Sequence, residues 1–173
     1  LPFEIPKKKP GDKFYKEFRL TNKGSIDMGQ LFFTLQNATV TKDDASVDQA
    51  LANRFLKALE IKVLTRENAN AEWVNNSALN NVYTNGSVER INLYEFLGGN
   101  IENKIKPAYW DEGKINLIRD LELKSGAPAN WNSYQIQIEF VNDSDNNQNE
   151  FQGLSVDFDF VYEAIQSFKN SNK

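Results

Sequence analysis

Clustered carboxylates and amides are the groups with which this sequence could bind a metal ion. Asp143, Asp145 and Asn147 place side-chain oxygens at the first, third and fifth positions of a segment, as the first half of a calcium loop does. The second half departs from that pattern, because Gln148 replaces the glycine of position six and Leu154 replaces the glutamate of position twelve. We therefore interpret the segment as a solvated loop and predict no metal site there, with weak calcium binding kept as the alternative.

Two further acidic pairs alternate with apolar residues. Asp157 and Asp159 share one face of a strand pattern, and Gln137 and Glu139 share one face of another. Strict alternation places polar residues on the wet face of a half-buried strand, which explains these pairs without catalysis. We predict no catalytic residue among them.

Histidine and cysteine are both absent from the sequence. Their absence excludes disulfides, thiolate and imidazole metal ligands, the Ser-His and Cys-His nucleophilic pairs and the zinc motif His-Glu-x-x-His. It also removes the usual proton carrier at neutral pH. The sequence therefore predicts a protein that is not an enzyme and that uses no cofactor.

Tryptophan offers one alternative binding chemistry. Trp73, Trp110 and Trp131 fall in or beside segments interpreted as loops, where an aromatic ring can stack on a sugar. Such residues also plug the ends of β-sandwiches or lie at subunit interfaces. A polysaccharide-binding surface protein is therefore kept as an alternative.

Two long strands in alternation dominate the last third of the sequence. They run over residues 134–140 and 154–162, and we predict that they form a hairpin around the polar residues 143–149. The apolar residues that share a face, and that we expect in a sandwich core, are Tyr134, Ile136, Ile138, Phe140, Leu154, Val156, Phe158, Phe160 and Tyr162.

The remaining elements follow from periodicity and turn residues. We predict strands over residues 13–22, 26–40, 60–65 and 114–123, the second with a bulge at Gly29 and Gln30. Helices are expected over residues 46–59, capped by Ser46 or Asp48, and 87–97, ended by Gly98 and Gly99, with loops over residues 67–81 and 107–113.

The length and the net charge of the sequence limit the number of domains and the kinds of partner. The 173 residues suit a single domain, residues 1–173, with an N-terminal segment over residues 1–9 and a C-terminal tail over residues 167–173. A net charge of −4 without a basic face argues against nucleic acid as a partner, and no apolar run is long enough to cross a membrane. The expected class is mainly β, an antiparallel β-sandwich with inserted short helices.

Several short motifs follow one another along this sequence in an order that is typical of one known family. Lys9-Pro-Gly-Asp-Lys13 precedes a strand that ends in Leu20-Thr-Asn-Lys-Gly-Ser25, and Gln137-Ile-Glu-Phe140 precedes Asn149-Glu-Phe-Gln-Gly153 and Phe158-Asp-Phe160. Together these segments resemble the TasA/camelysin family of exported bacterial proteins. Each motif is weak alone, but their joint order covers nearly the whole sequence.

The resemblance implies a jelly-roll-like sandwich, secretion to the extracellular matrix or cell surface, and polymerisation into fibres of the biofilm matrix. The expected partners are further copies of the same chain and an accessory or anchoring matrix protein. The alternative that the resemblance carries is a camelysin-type cell-surface metallopeptidase. Without histidine or cysteine, zinc could be held only by carboxylates, which is rare for a catalytic zinc site.

One departure from the family bears on assembly. Family members carry a strand of the type Gly-Thr-Leu-Asp-Leu ahead of the Pro-Gly-Asp turn, and we expect the sandwich to have an open edge where that strand would pair. Donor-strand complementation between neighbours would close this edge and extend head to tail, although amyloid-like stacking stays open as another mode. The expected interface residues are Leu1, Phe3 and Ile5 of the N-terminal segment and Phe14, Phe18 and Leu20 of the first strand, which would line the groove.

Overall fold

The structure is a computed structural model of the 173-residue chain. It describes residues 2–5, 9–66, 70–75, 83–84, 87–88, 91–98, 101–105, 107–117, 131–142 and 148–166. For residues 2–5, 74–75, 83–84, 87–88, 108 and 131–132 only the backbone is described.

Strands make up most of this described part. They are β1 (Pro2–Ile5), β2 (Lys13–Thr21), β3 (Met28–Lys42), β4 (Ala45–Ser46), β5 (Leu59–Arg66), β6 (Val74–Asn75), β7 (Tyr83–Thr84), β8 (Ser87–Val88), β9 (Ile91–Asn92), β10 (Trp110–Asp111), β11 (Lys114–Asn116), β12 (Trp131–Phe140) and β13 (Leu154–Gln166). The α-helices are α1 (Gln49–Lys57) and α2 (Leu93–Gly98), and short 3-10 helices span Glu102–Lys104, Pro107–Tyr109 and Gln148–Phe151.

The strands form two main antiparallel sheets, as the mainly β prediction requires. The first sheet has the order β1-β13-β3-β11-β10, with β4 also paired to β3. The second sheet has the order β2-β12-β5-β6, with β9 also paired to β5, and β7 pairs with β8 in a separate ribbon.

The apolar faces of the two sheets contribute to one core. Leu31, Phe33 and Leu35 of the first sheet join Tyr134 and Ile136 of the second in this cluster, all nearly inaccessible to solvent. The predicted inward faces of the two long strands are confirmed, except at Tyr162, which is 39% exposed. Tyr162 lies beyond the segment of β13 that β1 covers, so its ring is only partly enclosed.

The predicted hairpin between the two long strands is wrong. β12 pairs with β2 and β5 in the second sheet, whereas β13 pairs with β1 and β3 in the first. Alternation determines which face of a strand is buried but not which strand lies beside it. The two apolar faces instead meet across the core, from opposite sheets.

Bulges shape the longest strand, β3. Ile165 pairs with Gln30 and Gln166 with Met28, so Gly29 is an extra residue and the bulge predicted there is confirmed. A second irregularity sets Asn37 and Ala38 against Phe158 alone, since Asp157 pairs with Thr39 and Asp159 with Gln36. Asn37 has a positive φ of 56°, which asparagine tolerates better than most residues.

Helix α1 confirms the prediction of a helix between the strands β4 and β5. Its N-cap is Asp48, whose carboxylate accepts a hydrogen bond from the Leu51 amide at 2.9 Å. Ala52, Phe55 and Leu56 are its buried residues. The strand predicted over residues 60–65 is also confirmed and belongs to β5.

The prediction of a helix over residues 87–97 is largely wrong, because its first half forms β8 and β9. Ile91 pairs with Ile61 of β5, and the helix begins only at Leu93. Asn92 starts it through a capping box with Glu95: the Glu95 amide donates to Asn92 Oδ1 at 2.9 Å, and the Asn92 amide donates to Glu95 Oε2 at 3.3 Å. Gly98 is the last helical residue, while Gly99 lies outside the described residues.

The predicted loops contain short strands. Val74–Asn75 pairs with β5, and Trp110–Asp111 pairs with β11 through a turn at Glu112 and Gly113, both with positive φ. The strand predicted over residues 114–123 is confirmed as far as Asn116, and residues 118–123 lie outside the described part of the chain.

A bidentate ion pair ties α1 to the segment that precedes β13. Arg54 donates from Nε and from its terminal nitrogen to the two carboxylate oxygens of Glu150, at 2.9 and 2.8 Å. The hydrogen bond from Arg54 holds the pKa of Glu150 below its ordinary value, with partial opposition from desolvation. A carboxylate whose folded-state pKa is depressed stabilises the fold at higher pH and loses that contribution as the pH falls through this pKa.

We therefore expect the thermal unfolding temperature of the wild type to exceed that of Glu150→Gln at neutral pH. The difference should shrink as the pH falls below about 4.5, the ordinary pKa of glutamate. Thermal unfolding of both proteins, followed by circular dichroism between pH 3 and 7 in steps of about half a unit, checks this expectation. A difference that stays constant over this range would contradict it.

Candidate assembly edge

The outer edge of β13 pairs with β1 in the described part of the chain. β1 pairs with it over four residues, from Pro2 opposite Asp159 to Ile5 opposite Val156. Within the described ranges, no strand lies beside the same edge at residues 161–166, although β3 pairs with the other edge of β13 along its length. Such an edge presents backbone donors and acceptors that can pair with another chain.

The residues on this stretch of β13 are accessible. Val161 and Tyr162 are each 39% exposed, and Ala164 is also exposed. We call residues 161–166 the open edge. An edge with exposed apolar residues is the kind of surface that takes up an additional strand.

The open edge borders the terminal strand of the other sheet. Phe18 of β2 stacks on Tyr162 with the ring centroids 5.2 Å apart and the planes within 5° of parallel. The same ring stacks on Tyr134 of β12, also at 5.2 Å. Phe18 thus lies between the two tyrosine rings and connects the first sheet to the second at this side of the core.

The sequence-predicted interface residues fall on two different sheets. Phe3 and Ile5 are in β1, opposite Phe158 and Val156 of the first sheet, while Leu1 lies outside the described residues. Phe14, Phe18 and Leu20 are in β2 of the second sheet, where they alternate with exposed residues and are half-buried against the core. The structure therefore brings Phe18 next to β13 rather than β1 next to β2.

The sequence pattern predicted that the last strand ends at Tyr162, so residues 163–166 of the open edge were missed. β13 continues to Gln166. Ala164 continues the alternation of apolar residues, and this was the available signal. A single small residue followed by Ile165 made the pattern weak.

At the described positions, the other candidate groups do not form a reactive site. Residues 143–147 of the calcium-like segment lie outside the described part of the chain, and Gln148 donates from its side chain to the Val141 carbonyl at 2.9 Å. Asp159 accepts a hydrogen bond from the Asn37 side chain at 3.0 Å. The described side chains include no group of three acidic residues placed to hold a metal ion.

The tryptophans have structural surroundings where their side chains are described. Arg66 lies over the Trp73 ring, 4.4 Å from its centroid, and Trp110 lines a cavity of about 230 Å³ beside β3 and α2. Both are partly buried, while for Trp131 only the backbone is described. Their use in binding a sugar stays a prediction.

The described strands define a protein of two antiparallel β-sheets, with β1 and β13 at one side of the first sheet. The sequence matches the family described as camelysin metallo-endopeptidase over residues 3–171, and the chain belongs to that family. It is 25% identical over 180 residues to the major biofilm matrix component of Bacillus subtilis strain 168. That alignment covers 91% of this chain and 66% of the relative, so the chain spans just under two thirds of the relative's length. The family expected from the sequence motifs is confirmed.

The family description implies a metal, and the residues that the structure describes do not fit one. The sequence contains no histidine and no cysteine, which supply most protein ligands to zinc. The carboxylates at described positions are not grouped in threes. We derive no peptidase step from this arrangement.

The described helices are also too short or too polar to span a membrane.

Proposed function

We propose that this chain is a structural subunit of extracellular biofilm-matrix fibres. The single observation that carries the proposal is the similarity to a biofilm matrix component over 91% of this chain. That similarity also supports an extracellular location.

The proposed mechanism is strand addition between neighbouring subunits. β1 already shows that the N-terminal segment can pair with the edge of β13, because it does so over residues 2–5. In a fibre, the segment with Leu1, Phe3 and Ile5 would pair with the open edge of the next subunit. Because donor and acceptor are different surfaces, the contact repeats head to tail and produces a filament.

This mechanism also gives the half-buried residues of β2 a role. Phe14, Phe18 and Leu20 would contact the incoming strand from the opposite sheet, as the sequence led us to expect. The jelly-roll topology and an accessory or anchoring protein complete the proposal.

One other assembly mode and one other function compete with this proposal. Amyloid-like stacking of whole strands would produce fibres without use of the open edge in particular. A metallopeptidase is suggested by the family description, but the chain lacks the usual ligands.

Filament formation by the purified protein tests the proposal. We expect the wild type to form filaments under negative-stain electron microscopy, and Tyr162→Lys to form them about tenfold more slowly by light scattering, because a cation would replace the ring that packs on Phe18. The matched control is Tyr15→Lys, since Tyr15 is 54% exposed on β2 and faces away from the core.

Each alternative predicts a different result for the same protein preparations. Equal assembly rates for the two lysine variants would point to stacking that does not involve the open edge. If the protein stays monomeric and cleaves casein, and a chelator stops the cleavage, the peptidase role would be supported and the fibre role contradicted. Urea unfolding of each variant confirms that the fold is intact before rates are compared.

A further inference from the structure

The cavity of about 230 Å³ beside β3 lies between α2 and the hairpin of β10 and β11. Its apolar lining residues are Phe33, Leu35, Phe96, Ile101, Trp110 and Ile115. Trp110 is partly exposed, whereas the other five are each no more than 6% exposed. Core residues therefore form the walls of this cavity, and Trp110 lies where it meets the solvent.

The strand register directs aromatic rings toward the cavity. Ile115 pairs with Phe33 of β3 and with Trp110 of β10, and directly paired residues have their side chains on the same face of a sheet. From α2, the Phe96 ring meets Phe33 edge-on, with the centroids 5.5 Å apart. Rings from β3, β10 and α2 thus border one space.

The end of the hairpin explains why this space is present. The chain turns at Glu112 and Gly113, both with positive φ, just before β11 begins. β11 pairs with Phe32 and Phe33 of β3, and among the described strands none continues that pairing to Leu35. The side of Leu35 is therefore left to the cavity.

The charge near the cavity is directed away from it. Lys114 is the charged residue of the lining, and its Nζ lies 3.4 Å from the Glu163 carboxylate and 5.4 Å from the centroid of the Phe32 ring. Phe32 and Phe33 are consecutive in β3, so their side chains are on opposite faces of the sheet. The ammonium group is on the face of Phe32, which leaves the cavity suited to a neutral ligand.

The size and the lining favour a small ring over a sugar. An apolar cavity of about 150 Å³ is enough to bind benzene, and the cavity here is larger. The hydroxyl groups of a sugar would lose water against the walls of Phe33, Phe96 and Ile101 without gaining hydrogen bonds in return. An aromatic ring has no such groups and can stack on or meet the edge of Trp110 and Phe96.

We infer that this cavity is a binding site for a small neutral aromatic molecule of one or two rings. The inference goes beyond the proposed function and does not depend on it, because the cavity lies on the β11 side of β3 and β13 pairs with the other side.

Fluorine NMR of 5-fluoroindole measures this binding without interference from the tryptophans of the protein. Titration of the wild-type monomer should give saturable line broadening, with a Kd on the order of 1 mM or lower. Trp110→Ala should raise the Kd by about fivefold or more, because one wall of the site is lost. The matched control is Trp73→Ala, which should change the Kd by less than about twofold, since the Trp73 ring lies against Arg66.

A second variant fills the site instead of opening it. Leu97 lines the cavity and is partly exposed, so Leu97→Trp should occupy the space and raise the Kd by about tenfold or more. Leu64→Trp is its control, because Leu64 lies opposite Gln135, on the outward face of β5. Circular dichroism establishes that each variant is folded before its Kd is compared.

Three results would overturn the inference. They are the absence of saturable binding to the folded wild type, equal Kd values for Leu97→Trp and Leu64→Trp, and binding of methyl glucoside in place of 5-fluoroindole. The last of these would favour the sugar-binding role considered for the tryptophans. Because the titration uses monomers, a protein that binds 5-fluoroindole but forms no filaments would overturn the fibre role alone.

Discussion

A disulfide that fixes β1 to its own sheet should strongly slow filament formation. Glu4 and Asp157 are direct partners in the antiparallel pairing of β1 with β13, at a separation that suits a disulfide. In the double variant Glu4→Cys/Asp157→Cys, no other cysteine competes for pairing. Because the proposed contact requires the N-terminal segment to pair with a neighbour, the oxidised variant should assemble at least about tenfold more slowly than the wild type.

Reduction supplies the internal control for this experiment. Addition of dithiothreitol should restore the wild-type rate of light scattering, since the disulfide and not the two substitutions would be the cause. The single variants Glu4→Cys and Asp157→Cys cannot form the bond within one chain and should assemble normally under reducing conditions. Filaments that grow from fully oxidised monomers would show that another segment is the donor.

The sequence predicted the elements of this fold better than their pairing. Alternation in β12 and β13 correctly identified the buried residues, and the cap at Asp48 correctly identified the start of α1. Neither signal carries information about neighbours in space. The hairpin error arose because consecutive strands are usually adjacent, whereas here the chain crosses from one sheet to the other between them.

The sequence also predicted the short strands and helices poorly. Residues 87–92 include apolar residues at helical spacing, but Ile91 is held by its pairing with Ile61, and Asn92 starts the helix. Tertiary pairing of this kind overrides a local pattern over a few residues.

The candidate edge could be predicted only in outline. The sequence indicated an open edge near the first strand, and the structure places β2 at the end of its sheet and next to Tyr162. It could not indicate that β1 pairs with β13, because the neighbour of a strand depends on topology and register.

The largest expected loss of stability comes from Phe33, at the centre of the first sheet. Its side chain is 1% exposed, stacks on Phe160 at 5.6 Å and meets the edge of Phe96 at 5.5 Å. Phe33→Ala would remove these contacts and leave a cavity between the first sheet and α2. Such substitutions cost about 3–5 kcal/mol. Since domains are stable by only about 5–15 kcal/mol, this is a large part of the total.

Urea unfolding followed by fluorescence measures the free energy of unfolding of Phe33→Ala. Tyr15→Ala is the control, because Tyr15 is 54% exposed and its removal should cost less than about 1 kcal/mol. Similar losses for the two variants would contradict the central place of Phe33 in the core. Since the proposed acceptor edge is paired to β3 through β13, Phe33→Ala should also lower the fraction of protein that can enter filaments, in proportion to the fraction unfolded.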